Sequence, residues 1–174
     1  MNCLLFLMAF LLSSLFYLRI SMVIVTVQGN SMLPTLHPGD RVLVWRHYLP
    51  QWLKKGQIVL VWPRKSPPSG SIILHKGPDP NLFTVTPYIK RVIGLPGDKI
   101  ITYINELPDS ERGRQIQYHN KVGERVWNIP PKHFFVRGDS TGRDSLIWGP
   151  IPHDGLWGLV LMKLFAPKAK QNTP

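Results

Sequence analysis

The chain has 174 residues, of which 21 are lysine or arginine and 10 are aspartate or glutamate, so its formal net charge is +11. This length suffices for one domain with a sizeable core beside a short terminal segment. The single cysteine, Cys3, excludes an intrachain disulfide and a cysteine-based zinc site. The positive charge favours an acidic partner, either anionic lipid or nucleic acid, and its even spread along the chain is typical of a solvated basic surface.

An uncharged apolar run occupies residues 3–18. At about 1.5 Å per residue this run is too short for a hydrocarbon core of about 30 Å, but extension to Val25 gives an adequate length. Arg19 would then reach the outer interface with its charged end. The alternative is a cleavable signal peptide, but no basic segment precedes the run and no Ala-x-Ala-like site follows it. We therefore predict a retained transmembrane anchor over residues 1–27.

Short apolar and β-branched runs separated by turns dominate the rest of the chain. The 17 prolines and 14 glycines, and the lack of a helical period after the anchor, argue against long helices. A polar surface excursion is predicted at 105–124 and a basic tail at 168–174. The predicted fold of residues 28–167 is mainly β, an antiparallel barrel or folded double sheet. Its predicted strands are 41–45, 58–62, 72–75, 83–86, 88–93, 99–104, 125–129, 134–137 and 156–165.

One loop places a serine shortly after the apolar run. In residues 29–40, Ser31 is followed by Pro34, Pro38 and Gly39; the prolines restrict φ and the glycine relieves it. A rigid loop suits a nucleophile, because near-attack geometry must be held before reaction. The alternative is a plain connection between strands with an incidental serine.

A lysine lies among apolar residues in the predicted strand 88–93. With a period of two, Lys90 shares a face with Tyr88 and Val92, and Arg91 lies on the other face. A lysine on an apolar face loses hydration, so its pKa falls and its neutral amine can accept a proton. Arg91 cannot serve in this way because a guanidinium stays protonated. The alternative is that both cations reach solvent at a sheet edge.

Residues 138–145 are dense in hydrogen-bonding groups and short of apolar ones. Such a loop could orient a neighbouring base through hydroxyls and carboxylates. The alternative is an Asx-rich surface turn. The candidate supporting residues here are Gly138, Asp139, Ser140, Thr141, Asp144 and Ser145.

Other kinds of site find no support in the sequence. The six histidines lack metal-ligand spacing, and Ser31 does not lie in a G-x-S-x-G motif. No phosphate-binding glycine loop or RNA-binding signature is present. We therefore expect no metal or other cofactor and no nucleic-acid partner.

Taken in order, these stretches resemble the type I signal peptidases, a family of Ser-Lys membrane proteases of bacteria with relatives in mitochondria and plastids. The matching segments are NSMLPTL followed by PGD at 30–40, KRVIGLPGD at 90–98, and GDS, DS and GP within 138–150. The resemblance covers about residues 3–165. It implies that Ser31 is the nucleophile and Lys90 the general base.

The resemblance also implies what surrounds the chemistry. The fold would be signal-peptidase-like, and the substrates would be precursor proteins cut after small residues, typically Ala-x-Ala. The catalytic domain would lie on the trans side of the membrane, although the positive-inside rule read alone places it in the cytoplasm. The bacterial plasma membrane is the expected location, with an organellar inner membrane or thylakoid as alternatives. The basic surface would contact membrane lipid.

The third segment departs from the family pattern. It is shorter than usual between Gly138 and Asp144, and Leu146 stands where the family usually has arginine. Arg143 is the neighbouring candidate for the missing cation. Three hydroxyls stay open as the group that orients Lys90, namely those of Ser140, Thr141 and Ser145.

Two other functions remain as alternatives. One is a non-catalytic, membrane-anchored basic β-domain that binds polyanions. The other is a self-cleaving Ser-Lys peptidase, which would usually carry a DNA-binding domain where this chain has its apolar run. The oligomeric state and the role of residues 105–124 stay open.

Overall fold

The computed structural model describes residues 2–62, 75–76, 83–84, 87–120, 122–140 and 142–164. Helix α1 spans Asn2–Ser21. Many of its apolar side chains are exposed, with Phe6, Phe10 and Phe16 among the largest. Among the residues so described, no helix combines the length and the apolar character needed to cross a membrane.

Residues 22–26 differ from the predicted continuation of the apolar helix. They form strand β1, Met22–Thr26, which pairs antiparallel with strand β2, Arg41–Trp45. Most of these residues are β-branched, and such side chains favour extended backbone over helix. The prediction of an anchor through residue 27 is therefore corrected, because the helix ends at Ser21.

An antiparallel sheet forms the body of the structure. The remaining strands are β3 (Ile58–Val61), β4 (His75–Lys76), β5 (Phe83–Thr84), β6 (Tyr88–Gly94), β7 (Lys99–Tyr103), β8 (Glu124–Asn128), β9 (His133–Arg137), β10 (Ile151–Pro152) and β11 (Leu156–Leu164). Seven strands form the main sheet in the order β1, β2, β11, β3, β6, β9 and β10. Two small sheets pair β4 with β5 and β7 with β8. The prediction of a mainly β fold is confirmed.

Most predicted strands agree closely with strands of the structure, but some predictions cannot be compared. The predicted strands 72–75 and 83–86 lie largely outside the described residues. The described residues nearby, His75–Lys76 and Phe83–Thr84, pair with each other as β4 and β5. The predicted basic tail, 168–174, lies wholly outside them.

Short α-helices lie beyond α1 in the described part of the chain, where the sequence argued only against long ones. Helix α2, Asp109–Gln115, lies inside the polar excursion, and helix α3, Ser145–Trp148, lies in the segment after β9. The first turn of α2 is acidic and its last turn is basic, which complements the helix dipole. Because α2 is short and polar, its residues show no apolar helical periodicity, and no helix is predicted there from the sequence.

The main sheet is buried on both faces near its centre. Val59 and Val92 belong to one apolar cluster, whereas Leu60 belongs to a second cluster together with Met32 and Leu36. Because neighbouring residues of β3 point to opposite faces, the two clusters cover the sheet from both sides. This arrangement allows a side chain of β3 or β6 to be fully enclosed.

Candidate functional site

The loop that carries Ser31 is fixed to the sheet by buried side chains and by its backbone. Met32 and Leu36 are buried, and the Leu36 N–H donates to the Met32 carbonyl at 2.8 Å. At the base of the loop, the Val27 N–H donates to the Asp40 carbonyl at 2.8 Å. Ser31 itself is only partly buried. The loop therefore fixes the serine backbone without enclosing its side chain.

The end of this loop is tied to the last strand of the sheet. Lys163 of β11 donates to Asp40 Oδ2 at 2.6 Å, and the His37 N–H donates to the same oxygen at 2.7 Å. The hydrogen bond from Lys163 holds the pKa of Asp40 below its usual value. The predicted Pro-Gly-Asp turn is thus pinned at its aspartate.

Lys90 lies within the sheet and is almost completely buried. Its side chain is 1% exposed, and its backbone pairs with Val59 of β3 while β9 flanks β6 on the other side. Burial lowers the pKa of Lys90, and the nearby carboxylates of Asp144 and Asp139 oppose this shift. The expectation of a lysine on an apolar face is confirmed, and the alternative of a solvent-exposed Lys90 is wrong.

Two glycines bring Ser31 and Lys90 to one place. A Cβ atom added to Gly142 would lie 3.0 Å from Ser31 Cβ and 3.7 Å from Lys90 Nζ. A Cβ atom added to Gly138 would lie 2.5 Å from the Ser31 carbonyl oxygen and 3.4 Å from Lys90 Nζ. Contacts this close leave no room for a side chain at Gly138. The segment after β9 therefore touches both the serine loop and the lysine amine.

Asp139 joins three segments of the chain through its carboxylate. Arg91 donates to it from Nε at 2.7 Å and from Nη2 at 2.6 Å, and the Thr35 hydroxyl donates to it at 2.6 Å. Arg91 also donates to the Gly56 carbonyl at 2.8 Å. The hydrogen bonds from Arg91 lower the pKa of Asp139 and raise that of Arg91 itself. Asp139 therefore forms a clamp between the Ser31 loop and β6, and its supporting role at the site stays a prediction.

Asp144 and Ser145 are buried and bind backbone groups. Asp144 accepts the N–H of Leu146 at 2.9 Å, as the N-cap of α3, and that of Gly138 at 3.0 Å. Burial raises the pKa of Asp144, although these hydrogen bonds oppose the shift. The Ser145 hydroxyl accepts the Val136 N–H at 3.0 Å. Both side chains therefore hold the segment after β9 in shape.

The remaining candidates occupy different positions. Ser140 is exposed, and its N–H donates to the Ser31 carbonyl at 3.0 Å. Thr141 lies outside the described residues. Arg143, the candidate for the missing cation, pairs with Glu111 of α2 at 3.4 Å, and Leu146 is buried. That one of the three candidate hydroxyls orients Lys90 stays a prediction.

The clamp around Asp139 was not predicted from the sequence. From the sequence, Arg91 is only a group unable to act as a base, and Thr35 is only part of a segment that resembles the nucleophile box. The available signal was that Arg91 and Asp139 both lie in the matching segments. A bidentate arginine needs a planar acceptor, so Asp139 was a possible partner.

Comparison with known proteins gives a consistent result. Residues 1–165 match the family model described as signal peptidase, peptidase S26. The mitochondrial ATP-independent inner membrane protease subunit 1b of Arabidopsis thaliana is 31% identical over 140 residues, which cover 79% of this chain and 66% of that protein. Signal peptidase I of Leptolyngbya laminosa is 26% identical over 147 residues, covering 80% of this chain and 66% of that protein.

A third relative is more partial. Signal peptidase I of Pseudomonas aeruginosa is 29% identical over 171 residues, covering 77% of this chain and 58% of that protein. The matched part is thus less than two thirds of the length of each of these three relatives. Because the family model covers nearly the whole chain, including all three matching segments, the chain belongs to the signal peptidase family, peptidase S26.

Proposed function

We propose that the chain is a membrane-anchored serine endopeptidase that removes N-terminal signal peptides from translocated precursor proteins. Ser31 is the nucleophile and Lys90 the general base. The observation that carries the proposal is a lysine 1% exposed whose amine lies beside Gly142, the glycine that also contacts Ser31. A buried amine is more readily neutral at moderate pH, and only the neutral form accepts a proton.

The proposed reaction is acyl transfer in two steps. Lys90 Nζ takes the proton from Ser31 Oγ as that oxygen bonds to the scissile carbonyl carbon. The resulting lysine ammonium returns the proton to the leaving amine as the peptide C–N bond breaks. In the second step Lys90 takes a proton from water as the water oxygen attacks the acyl ester. The lysine ammonium then returns that proton to Ser31 Oγ as the ester C–O bond breaks and the carboxylic acid product leaves. The base thus serves both steps without a metal or other cofactor.

Backbone N–H groups would stabilise the oxyanion of the tetrahedral intermediate. The Ser31 N–H is the proposed donor, since the loop holds its backbone in place through Met32 and Leu36. By precedent, loss of one such donor costs roughly 2.7–4 kcal/mol of transition-state stabilisation. Fixing the serine loop therefore serves both the nucleophile and the oxyanion.

The substrate would bind as an extended segment along an edge of the sheet. Within the described part of the chain, β1 forms one edge of the main sheet and leads directly into the Ser31 loop. Backbone hydrogen bonds to an edge strand provide affinity, and pockets for alternate side chains provide specificity. Small residues in the Ala-x-Ala pattern are the proposed preference before the cut.

The membrane contact is also a proposal. The exposed apolar side chains of α1 and the net charge of +11 support attachment to an anionic lipid surface, with the domain on the trans side. Flotation of the full chain with anionic and neutral liposomes tests the charge contribution. We expect preferential binding to anionic vesicles that weakens with salt; equal binding to both would contradict it.

The central test is cleavage of a membrane-targeted precursor with an Ala-x-Ala site, in detergent or liposomes. Wild type is compared with Ser31→Ala and Lys90→Ala, with folding confirmed by circular dichroism. Ser110→Ala and Lys99→Ala are matched controls, because both residues are exposed. We expect cutting by wild type and both controls, and none by the two site variants.

Each outcome has a defined meaning. Cutting that survives Ser31→Ala, with contaminating proteases excluded, would contradict the proposed nucleophile. Activity that depends on surface basic residues but not on Ser31 or Lys90 would favour the polyanion-binding alternative. A product cut from the purified chain itself, with no cleavage of added precursor, would favour the self-cleaving peptidase.

A further inference from the structure

Residues 99–120 and 122–128, here called the ribbon segment, contact the segment that lies against Ser31 and Lys90. We call the latter, residues 137–140 and 142–149, the site loop. The ribbon segment contains β7, α2 and β8, and the sequence alone assigned no role to its central part. Three contacts join the two segments: Glu106 with Arg137 at 3.0 Å, Glu111 with Arg143 at 3.4 Å, and Trp127 with Gly149, where an added Cβ would lie 2.9 Å from the ring.

These contacts are spread over the whole site loop. One lies at its start, one in its middle and one at its end. A loop held at three points has less freedom to move than one held only by its flanking elements. The middle contact is the most informative, because it lies next to Gly142, the glycine that approaches both proposed catalytic side chains.

The middle contact includes a buried carboxylate. The Glu111 side chain is 8% exposed, and its Oε1 lies 3.4 Å from Arg143 Nη2. Its second cationic neighbour, Arg114, is more distant at 3.9 Å and is largely exposed. A buried charge is costly unless it is paired, so Arg143 is the main compensating partner of Glu111. The pair therefore restrains the position of Arg143.

Arg143 lies between two residues that shape the site. Gly142, which precedes it, lies so close to Ser31 and Lys90 that an added Cβ atom would contact both. Asp144, which follows it, accepts the Gly138 N–H at 3.0 Å. A shift of the Arg143 backbone would therefore move Gly142 relative to both the lysine amine and the serine.

We propose that Glu111 is a positioning residue for the Ser31–Lys90 pair, acting through Arg143 to hold Gly142 against both side chains. The inference rests on the proposed function. It gives the polar ribbon segment a role in catalysis without any contact between Glu111 and substrate. In this arrangement Glu111, in the small surface helix α2, controls the burial of the Lys90 amine and its alignment with Ser31.

The experiment compares Glu111→Gln, Arg143→Ala and Arg143→Lys with wild type in the full chain. Arg114→Ala is the matched control, because it removes the distant partner of Glu111 and leaves Arg143. We measure kcat and KM on a precursor peptide. Glu111→Gln and Arg143→Ala are expected to lower kcat by up to about 100-fold at nearly constant KM, as small misplacements do. Arg143→Lys and Arg114→Ala should stay close to wild type.

Titration of Lys90 separates positioning from simple electrostatics. Among the described residues, the carboxylates of Asp144 and Asp139 act on the Lys90 amine and favour its charged form. Removing the negative charge of Glu111 would by itself lower the pKa of Lys90, whereas water admitted by a loosened loop would raise it. We therefore expect the Lys90 pKa to rise in Glu111→Gln, and the acid limb of kcat/KM to move to higher pH.

Several outcomes would overturn the inference. Wild-type kcat and an unshifted pH profile in Arg143→Ala would do so, as would a lowered Lys90 pKa in Glu111→Gln. If Glu111→Gln does not fold, the partly exposed Arg143→Ala still tests the contact. If wild type cuts no precursor, the proposed function fails, and NMR titration of Lys90 still decides the positioning role.

Discussion

The two faces of strand β6 carry neighbouring cations in opposite environments. Lys90 is 1% exposed, and burial lowers its pKa. Arg91 is partly exposed, and its bond to the Asp139 carboxylate raises its pKa. The alternation of a strand therefore separates two tasks by one residue. One face holds a buried amine whose charged form is disfavoured by burial, and the other holds a permanent charge that is paired with Asp139.

The largest expected effect comes from replacing the buried cation. Lys90→Met keeps a long apolar side chain and removes the base, so cleavage should fall by about 10²–10⁴-fold, the range for general-base catalysis. Stability should be unchanged or higher, because an apolar residue replaces a buried ionisable group. Precursor cleavage and urea unfolding of the same preparations measure both quantities.

The companion variant Lys90→Arg sharpens this prediction. Arginine keeps the positive charge and cannot lose its proton, so the variant should be inactive and less stable than wild type. Cleavage by Lys90→Arg near the wild-type rate would show that a cation, rather than a base, is what the site needs.

An intermediate effect is expected from a substitution that affects Arg91, on the other face of β6. Asp139→Asn leaves Arg91 without its carboxylate partner, and hydrogen bonds to charged groups contribute about 1.5–3 kcal/mol. We expect a loss of this size in the free energy of unfolding, with a smaller loss of activity than in Lys90→Met. If activity vanished at unchanged stability, Asp139 would have a chemical role rather than a clamping one.

The same carboxylate gives a pH signature. Arg91 lowers the pKa of Asp139, so its contribution to stability is complete above the ordinary aspartate pKa of about 3.9 and is lost as the pH falls through the lowered value. Wild type should therefore lose stability in acid more steeply than Asp139→Asn. Urea unfolding at pH 3 and pH 6 measures the difference, and equal pH slopes would contradict the clamp.

The smallest expected effect comes from Thr35→Val. The hydroxyl of Thr35 donates to Asp139 at 2.6 Å and accepts from Arg91 at 3.2 Å, both at exposed positions. Loss of such a hydrogen bond costs about 0.5–1.5 kcal/mol. We expect that loss in urea unfolding and only a few-fold fall in cleavage. A larger fall in cleavage than Asp139→Asn produces would mean that Thr35 acts outside the clamp.

Much of the sheet could be predicted from local pattern. A period of two placed Lys90 among apolar residues, and the turn residues around Ser31 predicted an irregular fixed loop, but the pairing of these two residues came from the resemblance to a known family. Strand β1 escaped prediction because its apolar residues follow the preceding run closely, with only Arg19 and Ser21 as polar residues between them. Helix α2 escaped because DSERGRQ is polar on all sides.

The contacts that organise the site could not be read from local pattern. Thr35 and Asp139 are 104 positions apart, and Arg91 and Asp139 are 48 apart. Such pairs arise from strand order, and β6 pairs with β3 and β9 rather than with its neighbours in sequence. The contact of Glu111 with Arg143 depends in addition on the unpredicted helix α2.

The most direct test of the central claim is an NMR titration of the Lys90 amine in ¹⁵N-lysine-labelled full chain, with Lys90→Met to assign the signal. Burial predicts a pKa below the ordinary lysine value of about 10.4. The acid limb of wild-type cleavage should follow that same pKa, with the rate rising as Lys90 loses its proton. A Lys90 pKa at or above the ordinary value, together with a cleavage rate whose pH dependence does not follow that pKa, would contradict a neutral lysine as the base.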